Sequence, residues 1–488
     1  MTTFCCTCNK RLSGVRLQLP LSQGVFLCMS GVMSFQMRGV MTNSSSYRTA
    51  PERTERIPSG IPFIVGNEGA ERFSYYGMRA ILVVFMTQFL MGSGGELDVM
   101  SEGEAKGYYH LFVSAVYFFP IVGAVIADAF LGKYRTVIVF SLLYCLGHLA
   151  LALDDTRIGL SIGLTLIAIG SGGIKPCVSA NVGDQFGALN QHLLSRVFGW
   201  FYFAVNLGSF VSTLLIPIFL KWFGPHVAFG VPGLLMFVAT WIFWLGRRNY
   251  VHVPPGGMAF VRETFSVEGF QSVGKLVGIY AFVAVFWALY DQTASAWVLQ
   301  ARSMNLHWMG VDWLPSQIQA INPVLILIFI PIFSYGIYPA VNRVYRLTPL
   351  RKVSIGLFVT VVSFLIPAWI ETLISAGETP GIFWQVLAYM VLTAAEVMVS
   401  ITCLEFSYTQ APKNMKSLVM GIYYMSVSLG NAFTALVNFF IQNEDGSSKL
   451  AGASYYLFFS GLMFVTAILF IVVAMKYQEK TILQDGSV

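Results

Sequence analysis

The chain contains 488 residues, of which 56% are hydrophobic and only 11% are charged, whereas soluble domains carry roughly 25% charged residues. This composition excludes an ordinary soluble domain and predicts a protein that lies largely within a membrane. The formal net charge of +6 is modest, and no basic tract with interleaved aromatic residues stands outside the apolar runs, so we expect no nucleic-acid partner.

The first part of the chain differs from the rest. Residues 1–56 hold four of the seven cysteines and no apolar run long enough to cross a bilayer, and no convincing signal-peptide cleavage site follows. Cys5 and Cys8 form a C-x-x-C pair, but structural zinc needs four ligands and the first histidine is His110. We therefore expect no metal and no cofactor. We predict a disordered N-terminal extension over residues 1–56, or a start codon placed too early, with Met41 as the alternative start.

Twelve apolar runs follow, each long enough to cross a bilayer as a helix. Short polar loops separate them, and together they predict an all-α membrane protein with twelve transmembrane helices. The predicted spans cover residues 61–91, 107–130, 134–153, 157–180, 196–220, 227–246, 272–300, 315–340, 350–371, 381–409, 414–441 and 454–475.

The longest loop between spans contains the sequence Pro-Pro-Gly-Gly and divides the spans into two groups of six. We predict an N-terminal six-helix half over residues 57–246, a cytoplasmic linker over 247–271, a C-terminal six-helix half over 272–477 and a cytoplasmic tail over 478–488. Two six-helix halves related by an axis along the membrane normal are typical of the major facilitator fold.

Basic residues collect in alternate loops, whereas the opposite loops are acidic or poor in Lys and Arg. By the positive-inside bias, both termini are predicted to be cytoplasmic in a multi-pass protein of the cell membrane, either inner or plasma membrane. The basic residues are Lys133, Arg135, Arg196, Arg247, Arg248, Arg343, Arg346, Arg351, Lys352, Lys413, Lys416, Lys476 and Lys480.

The first span carries polar residues on a single helix face. Six residues follow the spacing 0, 3, 4, 7, 8 and 11, which places them on the same side: Glu68, Glu71, Arg72, Tyr75, Tyr76 and Arg79. Each ionised group at membrane depth costs about 2.5–3.5 kcal/mol, so four charges cost on the order of 10 kcal/mol unless they pair or face water. We predict that this face lines a polar cavity between helices, as expected of a transporter.

Further polar residues lie in the second and fourth spans. Lys175 follows a glycine-rich stretch, and the partner we predict for it is the cluster of Glu68, Glu71 and Arg72. Protonation of one carboxylate would rearrange such a cluster, while a static ion pair that fixes helix register is the alternative. His110 shares a helix face with other polar residues and is either a structural histidine or a proton relay.

In the second half the charges within the spans are carboxylates. Asp291 lies in the seventh span and Glu396 in the tenth, while Asn322 lies in the eighth, before a proline. Because Arg79 and Lys175 belong to the first half, we predict a cavity with a positive and a negative end, which suits a zwitterionic peptide. Asp291 can also pair with Arg79 as an outer gate.

Five motifs in order resemble those of the proton-dependent oligopeptide transporter family. EGAERFSYYG is similar to the E-x-x-E-R-F-x-Y-Y-G signature, and the other motifs resemble the family's loop motif, its fifth-helix motif and two segments of the animal peptide transporters. The resemblance covers residues 61 to about 477. The motifs lie at residues 68–77, 123–128 with 132–135, 200–209, 286–292 and 396–417.

The resemblance implies a proton-coupled symporter that imports di- and tripeptides by alternating access, with peptides, protons and the lipid bilayer as partners, and we expect a monomer. Proton coupling is then assigned to Glu68, Glu71, Arg72, Lys175, His110 and Asp291. Substrate binding is assigned to Tyr75, Tyr76, Arg79, Tyr117, Lys175, Asn206, Trp287, Tyr290, Asn322, Glu396 and Ser400. Asp128 and Arg135 are assigned to a conformational latch.

Other functions remain open from the residues alone. A major facilitator transporter of another small anionic or zwitterionic solute, such as nitrate or an amino-acid derivative, would keep Arg79 and Lys175 but would have less use for Glu396. An enzyme is not expected, because the six histidines are scattered and no H-E-x-x-H motif occurs. A channel, or a sensor without transport, is a further alternative.

Overall fold

The structure is a computed structural model that describes residues 47–258, 262, 267–410, 416–443 and 447–477. The predicted extension up to residue 46, with Met41, Cys5 and Cys8, lies outside the described residues. So do parts of the predicted linker and the tail over 478–488. The described chain is almost entirely helical, and we label its membrane spans α1 to α12 in chain order.

The first six spans begin with four separate helices and continue with one long helical stretch. Their bounds are Ile61–Gln88 (α1), Glu102–Ile126 with a short π-helix over Ala127–Leu131 (α2), Lys133–Leu153 (α3) and Arg157–Asp184 (α4). A 3₁₀ turn over Gln191–Leu193 precedes the long stretch Leu194–Leu245, and another over Gly246–Arg248 follows it. Gly224 breaks that stretch with φ 78°, so we call residues 194–223 α5 and 225–245 α6.

The last six spans contain more irregular turns. Their main helices are Val267–Tyr290 (α7), Ile321–Pro331 (α8), Pro349–Ser375 (α9), Phe383–Glu396 (α10), Lys416–Ile441 (α11) and Ala453–Lys476 (α12). α7 continues through Asp291–Ala294 and Ala296–Ala301, α8 is flanked by Pro315–Ala320, Ile332–Ile337 and Tyr338–Asn342, and α10 continues through Val397–Ile401 and Thr402–Gln410. An antiparallel hairpin joins His307–Trp308 to Val311–Asp312.

The prediction of twelve spans is confirmed. Ten helical stretches of the described chain are long and apolar enough to cross a membrane, and the stretch broken at Gly224 contains two spans. α1 is the twelfth, since its charged residues make it too polar to be counted by hydropathy alone. One boundary was predicted too late: α2 begins at Glu102 rather than at residue 107, because the Ser101 side chain caps the helix by accepting from the Glu104 N–H at 3.2 Å.

Each group of six helices builds its own buried apolar core. One core extends from Ile61 to Tyr250 and also includes two residues from the continuation of α7, and the other extends from Leu276 to Phe470.

Close helix contacts in each half depend on a glycine that has no side chain to separate the backbones. A Cβ on Gly123 of α2 would lie 2.6 Å from the backbone of α4, and one on Gly430 of α11 would lie 2.1 Å from a carbonyl oxygen of α7. The exact domain boundaries stay a prediction.

The two halves meet along α2 with α11 and along α5 with α8. We call the side of the bundle that holds the start of α1 and the end of α12 the terminal side, and the opposite side the loop side. Toward the loop side, Ser114 and Ser428 lie 3.1 Å apart, and at the helix ends Gln442 donates to the Ser101 hydroxyl at 2.6 Å. These contacts close the loop side between α2 and α11.

Residues just before α1 contact the terminal side. The ring of Tyr47 stacks on His252 with centroids 4.2 Å apart, and the Arg48 carbonyl accepts from the His252 N–H at 2.7 Å. The Asn190 side chain donates to the Arg56 carbonyl at 3.0 Å. Among the described residues, contacts with the helical body are therefore present from Tyr47 onward, ahead of the predicted boundary at residue 57.

Candidate functional site

A cavity of about 270 Å³ lies between the two halves and collects side chains from α1, α2, α5, α7, α8, α10 and α11. All but two of the predicted substrate-binding residues line it. These are Tyr76, Arg79, Tyr117, Asn206, Trp287, Tyr290, Asn322, Glu396 and Ser400. The structure therefore brings together, in one place, residues that the sequence distributes over six helices.

The two exceptions, Tyr75 and Lys175, lie behind the cavity wall. The Lys175 ammonium is 4.2 Å from the centroid of the Tyr75 ring and 4.3 Å from that of Tyr117, and it has no hydrogen-bond partner among the described residues. Lys175 interacts electrostatically with the predicted cluster of Glu68, Glu71 and Arg72, but it forms no direct ion pair with it, and its ammonium makes two cation–π contacts instead. The physical reason is that Arg72 already pairs with both glutamates, while the two rings present their negative faces to the ammonium.

The charged cluster of α1 is almost completely buried. Arg72 Nε lies 2.7 Å from Glu68 Oε1 and 3.2 Å from Glu71 Oε2, and the two glutamate side chains are 2% and 0% exposed. Glu68 Oε2 and Glu71 Oε1 have no hydrogen-bond partner in the part of the chain that the structure describes. One guanidinium therefore faces two carboxylates, and each carboxylate keeps an oxygen that can take up a proton.

A polar network crosses between the halves on the loop side of the cavity. Arg79 of α1 forms a buried ion pair with Asp291 at the end of α7, and it also donates to the Tyr109 hydroxyl of α2. The pair that the sequence predicted between Arg79 and Asp291 is therefore present. Asn431 of α11 donates to Asp291 Oδ2 at 2.7 Å, which satisfies the second carboxylate oxygen.

His110 extends this network. Its Nδ1 lies 2.8 Å from Asn431 Oδ1, and its Nε2 lies 2.9 Å from the Ser295 hydroxyl. Because Asn431 offers an oxygen here, Nδ1 donates, and in the neutral ring Nε2 accepts from Ser295. Protonation of the imidazole would oblige Nε2 to donate instead. The arrangement thus makes the contact between α2, α7 and α11 sensitive to one proton.

Glu396 of α10 lines the same cavity. Its Oε2 accepts from the Asn322 side chain at 2.8 Å, and Asn322 also contacts Thr393 at 3.1 Å and the Tyr290 hydroxyl at 3.2 Å. No cation of the described chain forms an ion pair with Glu396. The cavity therefore holds one carboxylate, Glu396, without an ion-pair partner among the described residues, whereas Arg79 is paired with Asp291.

The latch role predicted for Asp128 and Arg135 stays a prediction, and the two residues are not paired here. Asp128 and Arg135 form no ion pair in the described structure; instead Lys133 Nζ lies 2.7 Å from Asp184 Oδ2 of α4. Lys133 and Arg135 are two residues apart and point to different faces of α3, so only Lys133 reaches α4, and Arg135 is exposed. The backbone carbonyl of Asp128 accepts from the Gly256 N–H at 2.7 Å.

Comparison with known proteins decides the family. The model of the POT family matches residues 134–270 and 261–454, about two thirds of the chain. The chain belongs to the POT family. It is 38% identical over 361 residues to "Peptide transporter family 1" of Drosophila melanogaster, covering 64% of this chain and 48% of that protein. It is 36% identical over 387 residues to human "Solute carrier family 15 member 2", covering 68% of this chain and 52% of that protein. The chain spans about half the length of the curated relatives it matches.

Solved POT structures agree over nearly their whole length. The chain resembles an auto-inhibited POT family peptide transporter with TM-score 0.78 and 36% identity, covering 88% of this chain and 99% of that one. It resembles the POT family transporter PepTSo with TM-score 0.79 and 36% identity, covering 87% and 99% of the two chains. The fold of this POT protein is accordingly the all-α major facilitator fold with twelve membrane helices.

Sequence reasoning missed several residues of this POT site. Tyr202, Tyr389 and Tyr423 also line the cavity, but at 15% aromatic content no pattern distinguishes them from core or lipid-facing rings. Tyr109 and Asn431 complete the loop-side network. Asn431 had a usable signal, since it is one of two amides in an otherwise largely apolar span and follows a glycine, and buried polar residues at membrane depth are costly.

Proposed function

We propose that this protein is a proton-coupled symporter that imports di- and tripeptides across the plasma membrane by alternating access. In this proposal it acts as a monomer, and both termini are cytoplasmic, so that the terminal side faces the cytoplasm. The observation that carries the proposal is the cavity between the halves, which is lined by a carboxylate without an ion-pair partner, Glu396, and by the Arg79–Asp291 pair.

The amino end of a peptide would bind at Glu396. Glu396 accepts one hydrogen bond from Asn322 and forms no ion pair among the described residues, so its carboxylate can pair with an ammonium group, and Asn206 lines the same cavity. The carboxylate end would bind at Arg79, with Lys175 adding positive potential from behind the wall. Asp291 holds Arg79 in the absence of peptide, so the peptide carboxylate has to replace Asp291 there.

This competition gives a physical route to proton coupling. A proton taken up by Asp291 removes its negative charge and frees Arg79 for the peptide carboxylate, while a proton on His110 changes the contact with Ser295 that holds α2 against α7. Glu68 and Glu71 share one arginine, so protonation of either leaves a single, stable ion pair. In the Asp291 step and in the glutamate step the arginine keeps an anionic partner, which is the peptide carboxylate in the first case and the remaining glutamate in the second.

The conformation fits a stage of alternating access in which the terminal side is the more open one. The loop side is closed by the network of Arg79 and by the α2–α11 contacts. On the terminal side, a second cavity of about 440 Å³ lies between the halves, lined by residues that include Asp128, Lys133, Gly421 and Tyr424. A peptide released there would enter the cytoplasm.

Transport of nitrate or a similar anion explains the site less well. Glu396 faces the same cavity as Arg79, and an anion without an ammonium group would be repelled by it. A peptide can instead pair its ammonium group with Glu396 and its carboxylate with Arg79.

The proposal is tested with purified protein in liposomes that have an acidic exterior and an inside-negative potential. At −100 mV and one pH unit, one proton supplies about 2.3 plus 1.4, or roughly 3.7 kcal/mol, enough for several-hundredfold accumulation of a neutral dipeptide. Accumulation should stop when both gradients are collapsed. Accumulation that persists without them, or that requires sodium, contradicts the proposal.

A second arm tests the orientation of the peptide with Glu396→Gln. N-blocked and C-amidated dipeptides should both compete poorly with uptake by the parent protein, since a lost charge-assisted contact costs about 1.5–3 kcal/mol, or roughly ten- to a hundredfold in affinity. In Glu396→Gln the penalty for N-blocking should shrink while the penalty for amidation remains. Equal weakening of blocked and free peptides would mean that Glu396 does not recognise the amino end.

A further inference from the structure

A second pocket of unusual chemistry lies at the terminal side of the C-terminal half, away from the transport cavity. It has a volume of about 640 Å³ and lies between the start of α9 and the end of α12. One part of its wall carries Arg351 and the hydroxyl groups of Thr348 and Ser354. The other part is apolar and includes Ile355, Phe358 and Ile471.

The apolar part opens toward the lipid-facing surface. Ile355 is 39% exposed, Ile471 is 38% exposed and Met475 is 74% exposed, although all three are apolar and belong to membrane spans. In a membrane protein such exposed apolar side chains contact acyl chains. The pocket is therefore accessible from the bilayer, at the depth where α9 and α12 reach the lipid headgroups.

The polar part carries positive charge that no anion of the described residues compensates. Four basic residues lie within ten positions of one another around the start of α9: Arg343, Arg346, Arg351 and Lys352. Within the described ranges, none of the four takes part in an ion pair. Arg351 is nevertheless held in position, because its Nη1 donates to the Arg346 carbonyl at 2.7 Å and its guanidinium lies 4.6 Å from the Tyr345 ring centroid.

We propose that this pocket binds one anionic phospholipid from the surrounding leaflet, with its phosphate at Arg351 and an acyl chain along α9 and α12. A guanidinium with N–H groups left to donate, beside the Thr348 hydroxyl, matches phosphate oxygens, and the apolar wall matches a hydrocarbon chain. Basic pockets between membrane helices on the cytoplasmic side are suited to such headgroups. The combination distinguishes a lipid from a free phosphate, which would use only the polar part.

The test measures which lipids stay with the full-length protein. The protein is reconstituted with equal amounts of neutral phosphatidylcholine and anionic phosphatidylglycerol, extracted in mild detergent, and its retained lipids are identified by native mass spectrometry. The parent protein should retain phosphatidylglycerol selectively. Arg351→Gln should reduce this retention about fivefold, as expected for one basic group near a charged membrane surface.

Arg247→Gln is the matched control. Arg247 lies on the same side of the bundle, also stacks on an aromatic ring at 3.8 Å and also donates to a backbone carbonyl, that of Trp244 at 3.0 Å, but it does not line this pocket. Its substitution should leave lipid retention unchanged. Equal losses in Arg351→Gln and Arg247→Gln would show that only the general surface charge attracts the lipid, and would overturn the proposal.

A second variant separates shape from charge and guards against a folding defect. Ala474→Trp fills the pocket between α9 and α12 without changing any charge, and it should also remove the retained lipid while the thermal midpoint of unfolding stays close to that of the parent protein. Displacement of the lipid by inorganic phosphate would identify a phosphate site instead. Lipid binding that appears only after residues 478–488 are deleted would identify the chain's own tail as the occupant. Either result refutes the proposal.

Discussion

Neutralising Asp291 should open the loop side. In Asp291→Asn the Arg79 guanidinium keeps its charge but loses its anionic partner. Both side chains are almost fully buried, Arg79 at 7% and Asp291 at 2% exposed, so water cannot replace that partner. Removing one partner of a buried pair costs about 3–5 kcal/mol, because it leaves an uncompensated charge in a low-dielectric interior. If the substitution destabilises only the conformation in which the loop side is closed, it shifts the equilibrium between the closed and the open conformation toward the open one by roughly a hundred- to several-thousandfold.

The assay is a distance measurement by electron spin resonance across the loop side. Spin labels at Leu111 of α2 and Leu436 of α11, which are 50% and 68% exposed, report the separation of these two helices in a variant whose native cysteines are replaced by alanine. Asp291→Asn should move the distance distribution to longer values. The double variant with Arg79→Gln should move it back, because two neutral side chains leave no bare charge.

Asp184→Asn provides the control for this experiment. It breaks the Lys133–Asp184 pair, which joins α3 and α4 within the first half, so it should leave the α2–α11 distance unchanged. A distance distribution in Asp291→Asn that matches the parent protein would refute the reasoning, because the Arg79–Asp291 pair would then hold neither half against the other.

Three further predictions follow from individual contacts. Glu71→Gln should abolish proton-driven uptake but leave exchange between equal peptide pools partly intact, since glutamine keeps the shape of the side chain but removes the proton site. Unchanged proton-driven uptake in liposomes would show that the cluster is purely structural. Tyr75→Phe keeps the ring that faces Lys175 and should be neutral, whereas Tyr75→Leu should lower stability by about 0.5–2 kcal/mol in thermal unfolding; equal effects of both would argue against the cation–π contact. Gly430→Ala would place a Cβ 2.1 Å from a carbonyl oxygen of α7 and should lower the free energy of unfolding by about 1–3 kcal/mol. Gly278→Ala, with open space around it, should lower it little. Similar thermal midpoints of the two variants would show that the packing of α11 against α7 does not require a glycine at position 430.

The sequence was sufficient to locate the membrane spans and most of the cavity. A segment of about 20 apolar residues is stable as a helix across a bilayer whatever the rest of the chain does, so the spans can be located from local hydrophobicity and from the residues of the loops. Helical spacing then placed Tyr76 and Arg79 on one face, and the cost of charge in a membrane required that face to be polar. The motif resemblance added Asn206 and Tyr290, for which no local signal distinguishes a cavity residue from a packed one.

The pairing of side chains between helices was decided only by the tertiary structure. Arg79 and Asp291 are 212 positions apart and His110 and Asn431 are 321 apart, and nothing in the spacing of either helix states which other helix it will face. For the same reason Lys175 was expected beside carboxylates but lies between two aromatic rings. Periodicity determines which residues share a face, whereas the close approach of backbones determines which faces meet, and that approach depends on the packing of all the helices together.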